Sequence, residues 1–168
     1  MENEKEIKKW LKKIEEVKKG EVDLSRDEDL SIGLMNLISL EEHFYFTAMK
    51  TENKKYLEML NSVRELRKKL LKKIVTKPEG EEWCISKHLL AGSMRLYEVG
   101  TKELSKKNEK EAQEFFNSAF DLYSLFFSIN LKLIDSEKIE KTIEAGKSSG
   151  LMGKFSAIIK KVVDCCKE

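Results

Sequence analysis

Thr76-Lys77-Pro78-Glu79-Gly80 carries the only proline of the chain, with a glycine two residues later. Proline lacks the amide that a helix interior needs, and its ring clashes with the turn before it, so helical periodicity stops here and restarts. Two amphipathic segments of nearly equal length precede this break, residues 25–50 and 51–75. Two more follow it, residues 79–106 and 108–134. Each is roughly 25 residues, or about 37 Å at helical rise. Four matched rods with short links form an antiparallel bundle more readily than any other arrangement. The fold class predicted is all-α: an antiparallel up-down four-helix bundle with additional N-terminal and C-terminal amphipathic helices.

Working outward from the break, Tyr56, Leu60, Val63, Leu66, Leu70 and Ile74 recur along one stripe of the second segment. Ser25-Arg26-Asp27-Glu28 reads as a capping box opening the first. No Gly or Pro separates Lys50 from Lys55, so residues 26–75 form either a hairpin capped by Thr51 or Asn53 or one long helix. Glu79, Glu81 and Glu82 place negative charge at the start of the third helix, and Asn108 and Glu111 open the fourth. Ile7, Trp10, Leu11, Ile14 and Val17 make residues 3–19 an amphipathic helix that Gly20 ends. After residue 134 come a short helix at 136–145 and a flexible Gly/Ser link at 146–150. A last helix at 151–166 gathers Leu151, Phe155, Ile158, Ile159, Val162 and Cys166 on one side. Residues 1–134 are therefore expected to form the bundle, with 135–168 packing on it and Lys160 and Lys161 outward. Asn117–Tyr123 has the flavour of a tetratricopeptide helix, but it has no partner at the repeat period of about 34 residues.

Composition narrows the function. Hydrophobic residues at 40% and charged ones at 37% suit a bundle with a solvated exterior. Heavy Lys/Glu usage with a single glutamine resembles heat-adapted composition. The 32 basic and 30 acidic residues are interspersed, giving +2 without the basic face that phosphate binding requires, so no nucleic acid is expected. Three cysteines, with Cys165 and Cys166 adjacent and Cys84 far off, do not make a disulfide framework and suit a reducing cytoplasm. No apolar run reaches membrane-spanning length, and residues 1–19 lack the apolar centre of a signal peptide.

Polar residues on apolar faces are the candidate internal site. Positions ±3, ±4 and ±7 share a residue's helix face. Around Glu41 these are Leu34, Leu37, Ile38, Phe44, Tyr45 and Ala48, and around Glu42 they include Met35, Ile38, Tyr45, Phe46 and Met49. His43 shares its face with Asn36, Ser39, Thr47 and Lys50, a polar strip. Arg67 lies among Leu60, Val63, Leu70, Leu71 and Ile74 and needs a carboxylate, because an unpaired buried charge is costly. A hairpin turning near residues 50–52 brings Glu41 toward it. Asn130, among Tyr123, Phe126, Phe127, Leu133 and Ile134, completes a polar core of Glu41, Glu42, Arg67 and Asn130, with the Glu41–Arg67 pair either structural or functional.

A second candidate is a surface site made of Trp83, Cys84, Lys87, His88 and Arg95. Cysteine and histidine four apart on a helix can share a metal ion, yet structural zinc wants four ligands and His43 is the other histidine, far along the bundle. Ferritin-like carboxylate sites need Glu-x-x-His pairs, which are missing. No metal and no cofactor are implied. Walker, dinucleotide, Gly-x-Ser-x-Gly and zinc-protease motifs are absent, as is an Arg-x4–6-His motif before His88. The expected function is a cytoplasmic binding or protein–protein interaction module rather than an enzyme, with a protein partner or self-association. The alternative is a small enzyme or metal-binding bundle using Glu41, Glu42, Cys84 and His88. Interfacial membrane contact by 151–166 is a lesser reading.

Overall fold

The computed structural model describes residues 24–133, together with Lys12, Glu16, Ile159 and Lys160. Four helices follow one another: α1 (Ser25–Thr51), α2 (Lys55–Leu71), α3 (Glu82–Ser105) and α4 (Glu109–Asn130). There is no strand among the described residues, and no helix among them is long and apolar enough to cross a membrane. The expected helices at 3–19, 136–145 and 151–166 and the link at 146–150 lie outside the described residues, apart from the four isolated positions just named.

The break after α1 decides between hairpin and long helix. Glu52 adopts a left-handed backbone, φ 54°, which ends the helix. The Asn53 side chain then accepts a hydrogen bond from the Lys55 amide at 3.0 Å, starting α2. At the other end, α1 begins at Ser25, the first residue of the expected capping box. Leu24 holds the cap position with no side-chain cap, and its carbonyl accepts from the amides of Asp27 and Glu28. Leu24 is buried, so packing against the core helps fix where the chain enters. Helix α2 stops at Leu71, ahead of the expected residue 75, and a turn carries Ile74 and Val75 into the core. Gly80, at φ 50°, allows the reversal, and α3 begins at Glu82 rather than Glu79.

Within each hairpin the contacts run in opposite chain order. In the first, the Phe44 ring lies 6.4 Å from Tyr56 and Glu41 meets Arg67. In the second, Gly100 lies against Phe116, Ser93 Oγ donates to the Ala119 carbonyl, Ser86 meets Asn130, and Glu82 meets Lys132. Gly100 makes this closeness possible, since a Cβ there would stand 2.6 Å from the Phe116 ring.

Burial is concentrated at one end. Leu34, Met35, Leu71, Ile74, Val75, Leu90, Tyr123, Phe126 and Phe127 form the core, with Ile159 among them. Each large apolar side chain so buried stabilises the fold by about 1.5–3 kcal/mol. These residues come from the start of α1, the end of α2 and its following turn, the start of α3 and the end of α4. Toward the hairpin tips the buried residues are small ones, Ala48, Gly100 and Ala112, while Tyr45, Phe46, Met49, Leu57 and Leu104 are exposed. The two hairpins are thus sealed where the chain enters and looser toward their tips.

Candidate functional site

Beside the buried core, with Met35 and Tyr123 shared between the two, an open-sided cavity of about 750 Å³ lies between α1, α3 and α4. Helix α1 contributes Ile32, Met35 and Asn36, and α3 contributes Ser93, Met94 and Tyr97. Helix α4 supplies Phe116, Ala119, Phe120 and Tyr123, whose 116/119/120/123 spacing puts all four on one helical stripe. Ile32 and Tyr97, 50% and 52% exposed, stand at the mouth. Glu28 and Asp29 line the α1 side one turn before Ile32.

The Ser93 and Tyr123 hydroxyls at this wall bond within the protein. Ser31 Oγ donates to the Glu28 carbonyl at 2.6 Å, which leaves it to accept from the Tyr123 hydroxyl at 2.8 Å. Ser93 is tied to Ala119 at 2.8 Å. Among the described residues no buried side-chain nitrogen or oxygen lacks a partner. Burial pushes the Tyr123 phenol up to about 12, helped by the carboxylates of Glu28 and Asp29 and opposed by its bond to Ser31. Apart from the side chains of Glu28, Asp29 and Asn36, what remains facing the cavity is rings, thioethers and aliphatic groups. Its volume falls within the roughly 300–1,000 Å³ of small-molecule sites. No family model matches this chain, and no curated protein or solved structure does either. The geometry alone must carry the functional reading.

The expected polar core comes apart into three separate contacts. Arg67 donates from Nε to Glu41 Oε1 at 2.8 Å and from Nη2 to Oε2 at 3.1 Å, a two-pronged pair whose side chains are 5% and 15% exposed. Glu42, expected on the core stripe, is instead a surface residue paired with Arg95 of α3. Consecutive helix residues point about 100° apart, so Glu41 reaches α2 and Glu42 reaches α3. Its apolar neighbours Tyr45, Phe46 and Met49 are themselves exposed. Asn130 is half-buried and donates to Ser86 Oγ at 3.2 Å and to the Phe126 carbonyl at 2.7 Å, joining α4 to α3.

The expected surface site also divides. Trp83 packs against the core and is not part of an exposed cluster, because the start of α3 lies over the sealed end. Cys84, a free thiol, and His88 are exposed, and Lys87 is half-buried. Arg95 lies further along α3, where it holds both Glu42 and Glu98; these bonds raise its pKa, the one to Glu42 most. Arg95, Glu42, Glu98 and His43 border a polar cleft between α1 and α3. Arg95 and Glu42 are exposed and Glu98 half-buried, and such solvent-accessible pairs are worth about 0–1 kcal/mol each. Among the described residues no three His, Cys, Asp or Glu side chains converge as a metal would need.

Two features escaped the sequence. One is the cavity, since periodicity does not reveal which apolar faces fail to meet. The other is the contact of Lys132 with Glu82 at 2.6 Å, which keeps the lysine protonated, chiefly through that hydrogen bond. Its signal was present: Glu82 and Lys132 are equidistant in the chain from Lys107, the left-handed residue between α3 and α4.

Proposed function

We propose that this chain is a binding module, an antiparallel up-down bundle completed by its terminal amphipathic helices, that holds an apolar small molecule between α1, α3 and α4. One observation carries the reading: the Tyr123 and Ser93 hydroxyls are bonded within the protein, and apart from Glu28, Asp29 and Asn36 the rest of the cavity wall is apolar. Such a wall supplies desolvation and dispersion rather than a proton or a nucleophile. An enzyme or metal bundle built on Glu41, Glu42, Cys84 and His88 has less support, because the two carboxylates turn to different helices and the thiol and imidazole face solvent. A reducing cytoplasm suits the exposed Cys84 thiol.

The test is titration with N-phenyl-1-naphthylamine, a neutral dye that brightens in apolar surroundings. The expected result is saturable one-to-one binding that Met94→Trp or Ile32→Trp suppresses while circular dichroism stays unchanged. Binding that never saturates, or that ignores both variants, contradicts the reading.

A protein partner is the second reading, favoured by Tyr45, Phe46 and Met49, exposed within one turn near the tip of the first hairpin, with the Tyr45 and Phe46 rings 5.2 Å apart. Phe46→Glu should then reduce association seen by light scattering. A chain that stays monomeric at every concentration removes self-association.

A further inference from the structure

We infer that Lys160 is a positioning residue for this cavity: standing outside it, the lysine holds the Phe120 ring in the wall. This rests on the binding reading above and adds a residue that the lining does not include. Lys160 is exposed, and its Nζ lies 5.3 Å from the centroid of Phe120, within reach of the ring's quadrupole. Its chain neighbour Ile159 is 1% exposed and belongs to the same core cluster as Met35 and Tyr123, two further residues of the wall. Ile159 thereby fixes the backbone from which Lys160 reaches the ring.

The other rings of the wall have anchors of their own. The Tyr123 hydroxyl is bonded to Ser31 at 2.8 Å. Phe116 lies so close to Gly100 that a Cβ there would stand 2.6 Å away, and the Tyr97 ring meets Phe116 with centroids 6.0 Å apart. Phe120 has no polar atom, is only half-buried where it packs against the core, and borders the open volume into which it can turn. A wall fixed in advance raises affinity, because no ordering of that side chain then opposes binding. The linkage is reciprocal, so a guest that pins Phe120 also strengthens the seat of Lys160. The gain is bounded by the worth of the contact itself, about two- to fivefold in affinity.

The experiment titrates N-phenyl-1-naphthylamine into the unsubstituted full chain and into Lys160→Ala, Lys160→Met and Lys160→Arg. Circular dichroism should be the same for all four, since the side chain is exposed. Lys160→Ala and Lys160→Met, which lack the charge, should bind about two- to fivefold more weakly. Lys160→Arg keeps a cation over the ring and should bind as the unsubstituted chain does. Saturating dye should slow hydrogen exchange at the Ile159 and Lys160 amides, and less so in Lys160→Ala. Unchanged affinity in Lys160→Ala, rescue by Met instead of Arg, or amides that respond alike with and without the lysine overturns the assignment and leaves the cavity standing. If the dye never saturates on the unsubstituted chain, the binding reading itself fails, and this role with it.

Discussion

Arg67 is a charge taken out of water, and its cost is met by one carboxylate held through two hydrogen bonds. Arg67→Ala strands Glu41 and should destabilise the protein by about 3–5 kcal/mol in urea unfolding. The double variant Arg67→Met with Glu41→Leu should recover most of that loss, because desolvation then disappears along with attraction. A single-variant loss below about 1 kcal/mol would mean the pair is solvated. This contact was legible because every face neighbour of Glu41 is apolar and a short hairpin sets the register. Glu42 passed nearly the same test and is exposed, since neighbours report the character of a face and not what lies against it. Tyr123 makes a prediction in pH. Its folded pKa is raised above the usual value near 10, so its stabilising contribution is complete below about pH 10 and is lost as pH rises toward 12. In an ultraviolet titration one phenol should ionise near 12, and Tyr123→Phe should abolish that late step. A titration without it would place Tyr123 in water.

Helix order was easier to read than helix ends, and α2, at 17 residues, falls well short of its expected segment. The Pro78 break and the four periodic segments gave the element order, while α2 ends early and α3 begins late because Ile74, Val75 and Glu82 are wanted by the core end. No local propensity announces that demand. Two glycines separate local preference from packing. Gly33 on α1 has nothing within 4 Å of the point where a Cβ would stand, so Gly33→Ala should stabilise by about 0.5–1 kcal/mol through helix propensity. Gly100→Ala gains the same propensity but drives a methyl to 2.6 Å from the Phe116 ring and 3.3 Å from the Ala112 carbonyl. Overpacking of about 1–3 kcal/mol should leave a net loss. Thermal melts should move in opposite directions for the two variants, and equal shifts would contradict the close α3–α4 approach.

Over the whole molecule, the cavity lies where α1, α3 and α4 stand apart beside Met35 and Tyr123 of the core, and it arises from interhelix geometry that sequence periodicity does not encode. Large residues occur in both halves, but those near the tips are not brought into one core. The claim that an apolar guest enters between α1, α3 and α4 has a direct reporter in the methionines. Met35 and Met94 line the cavity, whereas Met49 and Met59 are exposed elsewhere, at 53% and 39%. Carbon-13 labelling of the methionine methyl groups, followed through a titration with N-phenyl-1-naphthylamine, distinguishes entry from surface adhesion. The account predicts that the Met35 and Met94 resonances move together and saturate while Met49 and Met59 hold still. Movement of Met49 and Met59 with Met35 and Met94 unchanged would contradict it.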